Sequence, residues 1–286
     1  MKGGGGMNRQ KAARLSGSIF KYAAILLLFA FLLFPVYWML ATSLKVNTES
    51  YRMVPTLFPQ AVSWEGYKTL FDDGKFLVYY WNNVIVSALA AVIICVISVM
   101  AGYALSRFHF RWNVLLLATF SFSQMMPVIS RLISLYTILR RLGLTDTHLG
   151  LVLAVCATQV PFCVSLMASF FDGIPNELEE AAWVDGCGRT RTLVRIILPL
   201  IVPGLLAVGV YSFLMTWDDY LHAITLVRSP TLWTLSQGLK LTYLGEVSDW
   251  QLINAASTLG AVPMIFVFFF FQKYMVKGLV AGAVKG

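Results

Sequence analysis

The chain has 286 residues, 58% of them hydrophobic and only 13% charged, with a formal net charge of +8. That composition is too apolar for a water-soluble domain. The basic residues border apolar runs instead of clustering on a polar domain, which argues against a nucleic-acid partner.

Residues 1–21 form a leader that begins Met1-Lys2-Gly3-Gly4-Gly5-Gly6 before Met7 and carries no functional motif. Six apolar runs follow at 22–44, 81–105, 114–139, 149–171, 200–226 and 255–271, each near the ~20 residues that a bilayer-spanning helix needs. The expected fold is therefore all-α, an integral membrane protein with six transmembrane helices. The first run is too long for a cleavable signal, and Pro35, Tyr37 and Trp38 stand where a small-residue cleavage site would be required. Lys2, Arg9, Lys11, Arg14 and Lys21 precede it, which puts the N-terminus in the cytoplasm by the positive-inside rule, and six crossings return the C-terminus to the same side. Arg107, Arg111, Arg189, Arg191, Arg195, Lys273, Lys277 and Lys285 agree with this topology, whereas Arg140 and Arg141 oppose it. The organisation is a transmembrane domain over 22–275, containing a cytoplasmic loop at 172–199, and a cytoplasmic tail over 276–286. The segments at 46–80 and 228–249 cap the outer side, with Ser63 and Ser248 external.

Nothing in the chain can hydrolyse ATP by the usual route. The nearest glycine cluster, Gly186-Cys187-Gly188-Arg189-Thr190, lacks the lysine of a phosphate-binding loop. His109, His148 and His222 have no metal-ligand spacing, so no metal site is expected, and they read as structural or interfacial. Cys95, Cys156 and Cys163 fall within apolar runs and Cys187 in the loop, which reads as packing, not disulfide chemistry. No hydrolase motif is present.

The loop is the most informative stretch. Pro175 and Asn176 suit a helix start, and Glu177, Glu179 and Glu180 favour its positive end. Ala181 and Ala182 would let another surface approach closely. Gly186 permits the positive φ that ends a helix and reverses the chain. Arg189, Arg191 and Arg195 then precede Ile196, Leu198 and Pro199, where the chain re-enters the membrane. Residues alone also allow a plain amphipathic connector with its charges in water.

In the fifth run Trp217, Asp218, Asp219 and Tyr220 interrupt apolar sequence, and an ionised carboxylate inside a span costs about 3 kcal/mol. One reading makes them a sugar-binding surface in a substrate pathway, with a ring stacking on a pyranose and a carboxylate accepting from hydroxyls. The other ends the helix near Met215 with both acids solvated, or pairs them with Arg131. The amides of Gln124 and Gln159 carry the same ambiguity: pathway, or a bond to a neighbouring helix.

The spacing Glu180-Ala181-Ala182, three residues, Gly186, nine residues, Ile196, one residue, Leu198-Pro199 resembles the EAA loop of permease subunits in bacterial ABC importers. Further stretches are similar to carbohydrate-uptake permeases of the maltose-transporter, MalG-like type: Phe34-Pro35 with Trp38 and Ser43-Leu44-Lys45, Trp81-Asn82-Asn83, Gly102-Tyr103-Ala104-Leu105-Ser106-Arg107-Phe108, Gly143-Leu144-Thr145-Asp146-Thr147, and the tail from Lys277. The chain departs from that pattern at Ser134, where a proline is usual, and at Trp217-Asp218-Asp219. The resemblance implies a type I ABC importer permease fold in a bacterial inner membrane, itself without enzymatic activity. It implies that Glu179, Glu180, Ala181, Ala182, Asp185, Gly186, Ile196, Leu198 and Pro199 couple to an ATPase subunit. The implied partners are a second permease, a paralogue, two ATPase subunits that hold ATP and Mg, membrane lipid, and an extracytoplasmic solute-binding protein, which 238–245 is placed to meet. This chain would bind no cofactor of its own. The competing functions are a permease for a non-sugar solute, a secondary carrier, for which no internal repeat is evident, and a docking scaffold.

Overall fold

The computed structural model describes residues 5–108, 111–244 and 249–283, with side chains over 20–108, 111–244 and 249–273. His109, Gly245, Ser248 and Lys285, and the side chain of Lys277, lie outside the described residues. Contacts divide the chain into two compact units, Met1–Thr69 with Val247–Leu259, and Leu70–Glu246 with Gly260–Gly286.

In the first unit, α1 (Gly5–Ser43) carries the apolar stretch Phe20–Ser43, and none of its most apolar window is buried within the chain. That is the exposure of a helix solvated by lipid. Beyond it the segment to Ser63 folds back through an isolated bridge between Lys45 and Val62. The buried Glu49 organises this segment, accepting from Gln60 N at 3.1 and 3.2 Å and from the Thr56 hydroxyl. Those bonds, the Thr56 hydroxyl first, hold the Glu49 carboxyl below its ordinary range. Then α2 (Glu65–Asp72) follows.

The second unit is built on α3 (Lys75–Arg107) and α6 (His148–Asp172), which run along each other, with α9 (Val202–Trp217) packed on both. Val86, Ala90, Ile94, Ser98 and Gly102 are all buried, a ridge at i+4 spacing that places one face of α3 against α6. The ridge contains small residues because apolar lipid supplies no hydrophobic drive and close backbone approach must hold the helices together. A side chain at Gly102 would meet Ala168 N and Met167 Cβ at 3.0 Å. Around the ridge Leu151, Val152, Val155, Met167, Phe171, Ile197 and Val208 complete the core.

Two of the six expected spans are not single rods. The third divides into α4 (Asn113–Met125) and α5 (Val128–Arg141), bent by 106°. Pro127 is the cause: it disfavours the helical region for Met126, whose ψ of 136° is extended, and it has no N–H to donate. The fifth is preceded by α8 (Arg189–Leu200), which contains a π-helical turn over Leu193–Ile197, lies almost wholly in the stretch expected as loop, and meets α9 at a 76° bend about Ile201. Moreover α9 ends at Trp217, and 221–226 forms a separate α10 (Leu221–Leu226). The last helix, α11 (Trp250–Ala283), begins earlier than expected. Among the described residues, four helices are long and apolar enough to cross a membrane alone, and up to six crossings result when each bent pair counts as one.

Candidate functional site: the loop between α6 and α8

The charged loop folds into α7 (Glu177–Val184). Its start is set by Asn176, whose carbonyl accepts from Glu179 N at 2.9 Å and Glu180 N at 3.1 Å. Its end is a Schellman closure: Gly186 N donates to Trp183 O at 3.0 Å and Cys187 N to Ala182 O at 2.9 Å, with Gly186 at φ +83°. The positive φ expected for Gly186 is therefore present, and it turns the chain into α8.

The helix has two distinct faces. Glu179 is 2% exposed and Ala182 is 5% exposed, so this face turns into the protein. Tyr103 Oη donates to Glu179 Oε2 at 2.7 Å and Arg107 Nε to Glu179 Oε1 at 2.6 Å, both from the last turns of α3. Arg107 also donates to Ile174 O at 3.0 Å, and Ser106 donates to Asp172 at 2.6 Å. The ends of α3 and α6 and the first turn of α7 are thus tied through one buried ion pair, whose remaining polar atoms are satisfied as such a pair requires. On the opposite face Glu177, Glu180, Ala181 and Val184 are exposed, Val184 by 88%. Their i, i+3, i+4, i+7 spacing makes one continuous helical stripe. Beside α7, a cavity of about 240 Å3 is lined by Arg107, Phe108, Glu180, Trp183 and Arg189, and the Arg189 guanidinium lies 5.4 Å from each of the Phe108 and Trp183 ring centres.

The sequence-selected loop residues thus divide. Glu180, Ala181, Asp185, Gly186 and Pro199 are exposed, Glu179 and Ala182 face inward, and Ile196 and Leu198 pack against the core. Tyr103 and Arg107 were quoted for resemblance, but their role was missed. The signal available was a tyrosine and an arginine four residues apart on one helix face, ending beside a glutamate-rich loop.

The residues assigned to a substrate pathway do not assemble into one surface. Trp217 is 4% exposed, with its indole N–H donating to Gly260 O at 3.1 Å and its carbonyl accepting from Asn83 at 3.1 Å. A ring so enclosed offers no face for a pyranose. Asp218 caps α9 and is exposed. The Asp219 carboxylate lies 2.8 Å from His222 Nδ1 without the alignment of a hydrogen bond, and accepts from His222 N at 3.3 Å. Among the described residues neither acid pairs with Arg131, whose Nε is buried and unpartnered. Tyr220 lies under Lys240, 4.8 Å from the ring centre to Nζ. Gln124 is exposed and donates to Thr158 O at 3.1 Å, and Gln159 donates to Thr216 at 3.2 Å. The helix-end reading matches Asp218, with α9 ending two residues beyond Met215, whereas Asp219 is largely enclosed beside His222 and not solvated.

Residues 93–280 match the model of a family described as binding-protein-dependent transport system inner membrane component. The chain belongs to that family. The permease is similar to the sulfoquinovosyl glycerol transport system permease protein SmoH of Agrobacterium fabrum, at 35% identity over 95% of both chains. It is 32% identical to the diacetylchitobiose uptake system permease protein DasC of Streptomyces coelicolor, over 95% of this chain and 99% of the relative. It is 30% identical to the maltodextrin transport system permease protein MdxG of Bacillus subtilis, over 96% and 98%. Its fold matches a chain of a bacterial ABC transporter involved in import of the acidic polysaccharide alginate, with a TM-score of 0.80, 22% identity and coverage of 92% and 97%. The permease is accordingly a multi-pass inner-membrane subunit of an ABC importer and not an enzyme, ATP hydrolysis belonging to separate chains. The secondary-carrier and scaffold alternatives fall.

Proposed function

We propose that this permease carries a sugar or oligosaccharide delivered by an extracytoplasmic solute-binding protein, and that α7 is the helix through which ATP-driven motion in a partner ATPase reaches the membrane helices. The observation that carries the coupling role is the two-faced α7: its inner face is locked to α3 and α6 by Glu179, and its outer stripe of Glu177, Glu180, Ala181 and Val184 is left open. A helix loaded with exposed Val184 and with small Ala181 at its centre presents a surface fit for another protein. Force applied there would be transmitted through the Arg107 link directly into α3. ATP and Mg would be held by two ATPase subunits, and a second, paralogous permease would complete the pathway.

The carbohydrate cargo is supported by the names of three relatives that match nearly end to end. The topology follows from the coupling role: α7 must be cytosolic, which puts the ends of α3 and α6 inside, the turn before α6 outside, and both termini in the cytoplasm. The organisation proposed is a leader at 1–21, the membrane domain at 22–275 with its coupling loop at 172–199, and a tail at 276–286.

Reconstitution of the full complex in vesicles tests the proposal. Uptake of a labelled sugar that requires both external binding protein and internal ATP is expected. Uptake driven by an ion gradient without ATP, or uptake confined to non-carbohydrate solutes, would overturn it.

A further inference from the structure

The face of α3 opposite its buried ridge borders a groove. Ala88, Val92, Cys95, Val96, Val99 and Met100 recur at i, i+4, i+7, i+8, i+11 and i+12, one continuous helical stripe, and line a cavity of about 680 Å3 within the second unit. Leu205, Leu206, Gly209 and Phe213 of α9 form the facing wall. Gly209 sets how closely the two helices approach, since a Cβ there would stand 3.3 Å from Cys95 Sγ. Leu193, Val194 and Leu198 of α8 close one end, and Val267 and Phe271 of α11 complete the lining. The Cys95 thiol is the one polar side-chain group in this lining, and it donates to Leu205 O at 3.8 Å. The groove therefore asks nothing of an occupant except apolar surface.

Its length and the charge at its end define that occupant. From Ala88 to Met100 α3 rises about 18 Å, close to the ~15 Å of one leaflet of the hydrocarbon core. Arg189, the first residue of α8, reaches the Phe108 ring just beyond the end of α3, and α8 meets α9 at 76°, so α8 lies across the groove at the loop side of the membrane. On this crosspiece Arg191 and Arg195 are exposed, Arg195 next to the lining Val194, and among the described residues neither makes an ion pair. Helices α3, α8, α9 and α11 contain no Asp or Glu, so no carboxylate on the groove's own walls balances the two guanidinium groups. Protein helices in a membrane dock on small residues that allow close approach, whereas this lining is mostly Val, Leu, Met and Phe. A flexible hydrocarbon tail fills such a wall, and basic residues between helices at the cytoplasmic boundary attract anionic lipid headgroups.

We propose that the groove holds an acyl chain of an anionic phospholipid from the cytoplasmic leaflet, with its phosphate bound by Arg191 and Arg195. The inference rests on the cytoplasmic placement of α7 and α8 given above. The lipid braces α8 against α3 and α9, on the path from α7 to the membrane helices.

The test uses the assembled transporter in phosphatidylcholine nanodiscs doped with a phospholipid that carries a diazirine on its acyl chain. Two such probes are compared at equal concentration, one with a phosphatidylglycerol and one with a phosphatidylcholine headgroup, and adducts are located by peptide mass after irradiation. Adducts of the phosphatidylglycerol probe are expected on peptides covering 88–100 and 205–213, exceeding those of the phosphatidylcholine probe by about fivefold per arginine. Arg191→Gln with Arg195→Gln should bring the two probes to equal yield there. Val96→Trp, which fills the groove and leaves both arginines in place, should lower the phosphatidylglycerol adducts to the phosphatidylcholine level. Equal labelling by both probes in the parent means ordinary surrounding lipid and overturns the site, as does a preference that survives either variant. Absence of adducts on these peptides, with Val96→Cys cross-linking instead to the second permease, overturns it in favour of a protein occupant. The adduct pattern does not depend on which side α8 faces. Its failure beside ATP-driven uptake by the unmodified complex therefore strikes the groove alone and leaves the importer reading intact.

Discussion

Glu179 and Glu180 are adjacent carboxylates with opposite surroundings, and their mutants should behave differently. Removing the charge of Glu179 leaves the Arg107 guanidinium, 11% exposed, without its counter-ion, and breaking a buried pair on one side costs about 3–5 kcal/mol. Glu179→Gln should therefore loosen the loop, lowering recovery of the complex and abolishing uptake in what remains. Arg107→Lys keeps the charge but loses the fork that reaches Glu179 and Ile174 together, so an intermediate phenotype is expected. Uptake assays with quantified complex in both variants check this, and full activity in Glu179→Gln would remove the lock from the coupling path. Trp217 and Asp218 also separate. Trp217→Ala empties a buried aromatic site and should destabilise the chain by about 3–5 kcal/mol, whereas Asp218→Asn changes an exposed helix cap and should leave uptake near normal. A ligand-contact role would give the reverse pattern, with normal assembly and lost transport in both. Asp146 adds a pH signature. Its φ of +58° is left-handed, and its carboxylate accepts from the Ser229 hydroxyl, Ser229 N and Arg228 N, which hold it below the ordinary aspartate value. The folded form thus favours the ionised group. Its stabilisation is complete above the unfolded aspartate range and is lost as pH falls through the lower folded value. Thermal unfolding of Asp146→Asn against the parent should show a difference at neutral pH that shrinks under acid.

At the scale of the element, α7 is held by geometry at both ends, and Gly186 is the position with least tolerance. A β-branched side chain at φ +83° strains the backbone by about 1–3 kcal/mol. Gly186→Val should misdirect α8 and abolish uptake while the membrane helices remain inserted. Glu180→Lys leaves the fold untouched, because its side chain is exposed, but reverses the charge of the stripe. It should release the ATPase subunits from detergent-solubilised complex, or retain them without stimulation by binding protein. Wild-type stimulation and uptake in both variants would defeat the coupling assignment. The existence of α7, its acidic start and its glycine stop were legible in sequence because caps and φ preferences are local. Its two faces were not, because burial of Glu179 depends on Tyr103 and Arg107, more than seventy residues earlier.

For the whole molecule the decisive prediction is sidedness. A membrane-impermeant thiol reagent applied to intact cells should label Ser63→Cys and spare native Cys187, and the reverse pattern would refute the cytoplasmic placement of α7. The number of apolar runs and the polar loop between them were determined by sequence alone, since a bilayer imposes hydrophobic length directly on the chain. The path of those runs was decided only in three dimensions. The run at 114–139 reads as one span in sequence, yet it bends by 106° at Pro127, and a second bend of 76° falls at Ile201. The same holds for function. The motif with its fixed spacing located the loop, whereas the enclosure of Trp217, the inward turn of Glu179 and the groove between α3 and α9 arise from contacts between residues far apart in sequence, which local pattern does not encode.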